Sequence, residues 1–122
     1  MRETSDGGSR RKAERRGHLA EWIGIVYLLL RGYRILALRY RTPLGEIDII
    51  ARKGDLIAFV EVKARAHAQS AIDAVTPSTQ HRIRGASDLW LARRADAHRL
   101  SRRYDILAVS GWRLPRHVVD AF

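Results

Sequence analysis

The chain has 122 residues, enough for one domain with a real core and too few for two ordinary ones. It contains no cysteine, which excludes a disulfide framework and a thiolate metal site and makes a reducing cytoplasm the natural home. Its 23 basic residues, 20 of them arginine, stand against 13 acidic ones for a formal net charge of +10, so the default partner is a polyanion, nucleic acid first.

Residues 1–9, MRETSDGGS, are polar and without period, and are expected to form a disordered tail ahead of a domain over residues 10–122. The first 16 residues carry six basic and three acidic side chains, which leaves 17 against 10, or +7, in the remainder, so the domain itself is basic. From Arg10 to Arg31, Ala13, Ala20, Ile23, Tyr27 and Leu30 recur at helical spacing, and Gly32 supplies a stop. A second stripe, Trp22, Ile25 and Leu29, makes the C-terminal half of this helix apolar nearly all round. Either the domain buries both sides or a partner, such as a second copy in a homodimer, covers one. The run WIGIVYLLL follows a basic stretch as a signal peptide would, but nine residues are far short of a bilayer span. Glu21 interrupts its start and Arg31 to Arg34 replace a cleavage site, so it reads as a buried helix with no role at a membrane.

Tyr33 to Arg41 alternates as a strand does, and Thr42-Pro43-Leu44-Gly45 breaks it. Two strands follow at about Glu46 to Ala51 and Leu56 to Ala64, joined around Lys53-Gly54. Thr76-Pro77 is a capped helix start, and Ile83, Ala86 and Trp90 give the apolar face of a helix ending near Arg94. Tyr104 to Val109 is a further strand, and His117 to Phe122 a short edge piece. The order α, β, β, β, α, β, β implies an α/β fold around one mixed sheet.

The informative stretch is GEIDIIARKGDLIAFVEVKAR, Gly45 to Arg65. With Lys53-Gly54 as the turn and Arg52 opposite Asp55, paired positions sum to 107, so Glu46 faces Glu61 and Asp48 faces Phe59. Glu46, Asp48, Ile50, Ile57, Phe59, Glu61 and Lys63 then share one side, and Ile47, Ile49, Ala51, Leu56, Ala58, Val60, Val62 and Ala64 form a wholly apolar other side that must be buried. Carboxylates so gathered can share a divalent cation, and the Lys63 ammonium on the same side can hold a water or a phosphate oxygen. Such a set suits metal-assisted phosphodiester hydrolysis with Mg²⁺ or Mn²⁺. The same residues also permit an ordinary salt-bridge cluster at a sheet edge.

GEIDII…FVEVKAR, preceded by GHLAEW…YLLLRGYRIL and followed by AVTP…Q and YDILAV, resembles the bacterial YraN-like family of the restriction-endonuclease-like superfamily over roughly Gly17 to Phe122. The resemblance implies a restriction-endonuclease-like central mixed β-sheet flanked by α-helices, with a PD-(D/E)xK motif. Under that motif Asp48 is the first acidic ligand, Glu61 the second and Lys63 the motif lysine. Glu21 matches a helical acidic residue that is often a further metal contact, and Gln80 a polar position after the Thr-Pro turn. Thr79 stands where relatives usually carry a basic residue.

The remaining features carry less. His18, His67, His81, His98 and His117 lack zinc-site spacing and read as surface residues. Trp22 and Trp90 read as core, and Trp112 as exposed. Arg65, Arg82 and Arg84, with Gln80, are the candidate nucleic-acid contacts. The leading expectation is a metal-dependent nuclease acting on DNA in preference to RNA, on branched or single-stranded intermediates of recombination or repair. The alternatives are a non-catalytic nucleic-acid-binding or assembly module on the same fold, and a structural protein that works through its apolar first helix.

Overall fold

Among the described residues five strands lie side by side in the order in which the chain makes them. The computed structural model describes residues 17–122, so the expected tail over residues 1–9 and the expected helix start at Arg10 fall outside the described residues. β1 (Arg34–Arg41), β2 (Glu46–Lys53) and β3 (Leu56–Lys63) form an antiparallel meander. β4 (Ser101–Ala108) runs parallel to β3, and the three-residue β5 (Arg116–Val118) returns antiparallel beside it. A parallel step needs a crossover, supplied by α2 (Ala68–Ala74), α3 (Pro77–Ala92) and a 3-10 turn at Ala97–Arg99. The expected α/β architecture with a mixed sheet and flanking helices is therefore present.

Helix α1 covers residues 17–30 and stops where the amides of Gly32 and Tyr33 donate to the carbonyls of Leu29 and Leu28, the paired closure of a helix C-terminus. On one side of the sheet Ala20 and Leu28 of α1 pack on Ile49, Ala51, Ala58, Val60 and Leu107. On the other, Ile83, Ala86 and Trp90 of α3 pack on Ile50, Ile57, Phe59 and Tyr104, with the Trp90 ring edge-on to Phe59 at 5.9 Å. α2 adds Ala71 and Val75 over Ile106 and Ala108.

Several expectations are corrected. The hairpin loop is Gly54-Asp55, not Lys53-Gly54: Lys53 pairs with Leu56 and Ile50 with Phe59, so paired positions sum to 109. Gly54 takes a φ of 62°, a left-handed value at the first loop position that a side chain resists. A slip of two keeps every side chain on its side of the sheet but changes which residues meet. Ile47 was expected with Ile49 yet joins the α3-side core with Ile50. The irregularity is matched in β1, where Arg39 has a φ of 49° between Leu38, paired with Ile49, and Tyr40, paired with Ile47. Ala64 is exposed rather than buried.

Trp22 is not core: it is 66% exposed, and α1 buries only one side. Helix α3 ends at Ala92, with Arg93 as its C-cap, and β4 begins three residues earlier than the apolar run implies, because Ser101 already pairs with Leu56. Helix α2 has no counterpart in the sequence reading. Its seven residues have no side-chain cap, and Ala71 is its one buried residue.

Candidate active site

The β2–β3 ladder is regular from Lys53–Leu56 to Ile49–Val60 and then stops. One step further, Asp48 and Glu61 meet. Asp48 Oδ2 accepts the Val62 amide at 2.8 Å, taking the place of a backbone acceptor. The register correction thus brings together the two acidic residues that the sum of 107 had held a step apart. Asp48 keeps the side of Ile50, as two-residue alternation requires, and so faces α3, where the out-of-step Ile47 joins it.

Helix α3 forms the facing wall. Thr76 Oγ1 accepts the Thr79 amide at 3.2 Å and Pro77 occupies the first turn, which fixes where the helix begins. The turn into β2 lies directly on this helix, since a Cβ built at Gly45 would run into the carbonyl of Arg82. Only glycine permits that approach. The result is an open cleft of about 240 Å³ lined by Glu46, Asp48, Glu61, Thr79, Arg82 and Ile83.

Electrostatics in the cleft are unusual. Burial pushes the Glu61 carboxyl up to about 9, helped by a hydrogen bond with Asp48 and the negative charges of Asp48 and Glu46, while the Lys63 ammonium opposes the rise. The Glu61 carboxyl therefore keeps its proton at neutral pH.

The other predicted residues divide. Lys63 lies close enough to act on Glu61 through its charge. Glu21 is ion-paired with Arg39 Nη2 at 2.8 Å, and Glu46 lines the cleft with a long 3.5 Å contact to Arg41. Arg82 lines the cleft, but Gln80 is turned inward, donating to the Val75 carbonyl at 3.2 Å. Arg84 lies over the rings of Tyr104 and Phe122, and Arg65 is exposed with Nη1 on the Ala64 carbonyl. Thr79 faces the cleft. Among the described residues no three His, Asp or Glu side chains gather as a ready cation cage. The Asp48–Glu61 pair nonetheless fits Mg²⁺ or Mn²⁺ as a donor set: two hard oxygen ligands in an open cleft, where such ions keep much of their water.

A second polar centre escaped the sequence reading. Asp105, fully buried in β4, accepts Arg103 Nε at 2.8 Å and Nη2 at 2.7 Å, the Asp120 amide at 3.0 Å, and pairs with His117 Nε2 at 2.8 Å. Burial alone would raise this carboxyl, but His117, Arg103 and the Asp120 amide together hold it below the usual carboxylate range. His117 is therefore a half-buried pin on β5 rather than a surface residue, and its Nδ1 lies 3.4 Å from Tyr27 Oη of α1. The available signal was the lone carboxylate inside the apolar run YDILAV.

The comparisons with known proteins agree with one another. Residues 20–109 match the model of the uncharacterised protein family UPF0102. A UPF0102 protein of Rhizobium johnstonii is 66% identical over 113 residues, 93% of this chain and 93% of the relative. One of Agrobacterium fabrum is 66% identical over 119 residues, 96% of this chain and 98% of its own length. One of Sinorhizobium fredii is 59% identical over 122 residues, the whole of both chains. Matched over the segment that holds Asp48, Glu61, Lys63 and Arg82, the chain belongs to the UPF0102 family.

Proposed function

We propose that the protein is a metal-dependent nuclease of the restriction-endonuclease-like class that hydrolyses phosphodiester bonds, of DNA in preference to RNA. The observation that carries this reading is the contact between Asp48 and Glu61, two carboxyl groups held together at the broken end of a ladder with Lys63 beside them, in a chain of net charge +10. A buried carboxyl with a raised pKa, set against a second carboxyl in a cleft, is a functional arrangement more readily than a stabilising one.

Each residue then has a task. Asp48 is held in place by the Val62 amide, with its second oxygen left for a cation. Glu61, once deprotonated, would be the second carboxylate to hold a divalent cation. When bound, Mg²⁺ or Mn²⁺ supplies a Lewis acid for the phosphate and lowers the pKa of a coordinated water. Lys63 holds a phosphate oxygen or the attacking water as a compact positive charge. Arg82 on the facing wall steadies the backbone of the bound polymer, and the exposed Arg65 offers a second, screened phosphate contact.

The test is cutting by the purified protein, in Mg²⁺ and in Mn²⁺, of duplex, single-stranded, flapped and four-way-junction DNA and of structured RNA. Asp48→Asn, Glu61→Gln and Lys63→Ala should each abolish cutting and leave binding largely in place. A non-catalytic binding module is the second reading, favoured by the ion pairs that Glu21 and Glu46 make with arginines. Binding without cutting across the whole panel would establish it.

A further inference from the structure

The side of α1 turned away from the sheet presents Trp22, Val26 and Leu30, four residues apart and respectively 66%, 49% and 82% exposed. Across from them the loop after β4 presents Trp112 at 86% and Leu114 at 74% exposure. Between the two runs an apolar groove of about 560 Å³. It continues into a second cavity of about 540 Å³ that shares Tyr27, Leu114 and Pro115 with it and is lined by Arg31 and Arg116. Arg113 lies on the groove itself. Among the described residues neither lining contains a carboxylate, and Arg31, Arg113 and Arg116 have no ion-pair partner. The Arg31 guanidinium sits 5.1 Å over the Tyr27 ring, which in turn reaches His117 and the buried Asp105.

We infer that this groove and its basic extension hold an unpaired polynucleotide strand, bases stacked on Trp22 and Trp112 and phosphates against Arg31, Arg113 and Arg116. Exposed indole faces beside uncompensated arginines are what a single strand requires, since every base has a stacking face and every linkage a negative charge. A second copy of the chain is a poorer occupant. Two-fold pairing of the same patch would set arginine against arginine in a chain already at +10. An anionic bilayer matches the charge but not the shape, because the apolar residues wall a groove instead of crowning a ridge.

The groove is distinct from the cleft: its residues lie on the α1 side of the sheet, and the Asp48–Glu61 pair faces α3. Trp22 nevertheless lies next to Glu21, whose partner Arg39 belongs to the β1 step opposite Asp48, so a strand leaving the cleft has a path to it. The inference rests on the nucleic-acid part of the proposed function and extends it. It names the substrate class as nucleic acid with an unpaired segment.

The probe is a fluorescently labelled oligo-dT, titrated with the full chain without divalent metal and read by anisotropy and by tryptophan quenching. Trp112→Ala and Arg116→Ala should each weaken oligo-dT binding about tenfold, with the melting temperature unchanged and duplex affinity little altered. Asp48→Asn should bind oligo-dT as the wild type does while losing any cutting. Wild-type affinity in both groove variants overturns the inference and leaves the nuclease reading intact. So does loss of oligo-dT binding in Asp48→Asn, which would seat the strand in the cleft. Quenching by anionic phosphatidylglycerol vesicles but not by oligo-dT overturns it in favour of a membrane surface, and a dimer abolished by Trp112→Ala overturns it in favour of self-association.

Discussion

Asp48 and Val62 are joined by a side-chain-to-backbone hydrogen bond of 2.8 Å at the point where the β2–β3 ladder gives out. The carboxylate substitutes for the backbone acceptor the next rung would have supplied. Asp48→Ala should therefore cost about 1–3 kcal/mol through the orphaned Val62 amide, whereas Asp48→Asn keeps an acceptor oxygen and should cost much less. Urea melts of the two variants check this. Equal losses would mean that the amide finds another partner.

The proton held by Glu61 gives the protein without metal a pH dependence with a definite sign. The Glu61 carboxyl titrates near 9 in the folded chain against 4.5 as its ordinary value, so across that window the folded state holds more protons than the unfolded one. Stability from this group is complete below about 4.5, declines as pH rises and is gone above about 9. The melting temperature without metal should fall across this range, and Glu61→Gln should flatten the fall. Mg²⁺ should restore stability at pH 8 more than at pH 5, releasing about one proton on binding. Asp105 does not interfere, because its lowered carboxyl acts only at acid pH, where stability is lost as pH falls.

Asp105→Ala tests the second polar centre. It leaves Arg103 and His117 without the fully buried carboxylate they share, and breaking a buried charged pair on one side typically costs about 3–5 kcal/mol. The loss should appear in thermal melts with little change in single-turnover cutting by the protein that remains folded. A cutting defect larger than the unfolded fraction would bring Asp105 into the working site.

Gly45→Ala should lower both stability and activity. The added methyl meets the Arg82 carbonyl, which cannot swing aside as a side chain could. Overpacking of this kind costs about 1–3 kcal/mol, and relief comes by pushing α3 away from β2, which widens the cleft that holds Asp48 and Glu61. Gly54→Ala, in the exposed hairpin loop with open space around it, strains the left-handed φ without touching the cleft and is the control.

The parts of this molecule that could be read from the sequence are those in which pattern and structure share a period. Two-residue alternation put Asp48, Glu61 and Lys63 together even with the turn misplaced by one residue, because a two-residue slip preserves the side each residue takes. Thr76-Pro77 announced α3 through local capping chemistry that needs no tertiary contact. Ile47 failed for the opposite reason. The irregular step lies opposite a left-handed Arg39, and arginine, unlike glycine, gives no hint of such a backbone. Trp22 failed because a helix apolar nearly all round has no periodicity to say which side is free. The pin between Asp105 and His117 joins residues 12 apart on different strands, and only the β4–β5 pairing brings them together.

The strictly sequential strand order divides the labour of assembly. Asp48 and Val62 are 14 residues apart and meet within one hairpin, whereas every β3–β4 rung joins positions 45 apart, as from Leu56 to Ser101, across the whole α2–α3 crossover. Loop closure favours the nearer contact and delays the farther one. The carboxyl pair is thus expected to be brought face to face early on the way to the native state, and the crossover then carries the Arg82 wall over it. In pulsed hydrogen exchange during refolding, the Val62 amide should gain protection before the amides of the β3–β4 rungs.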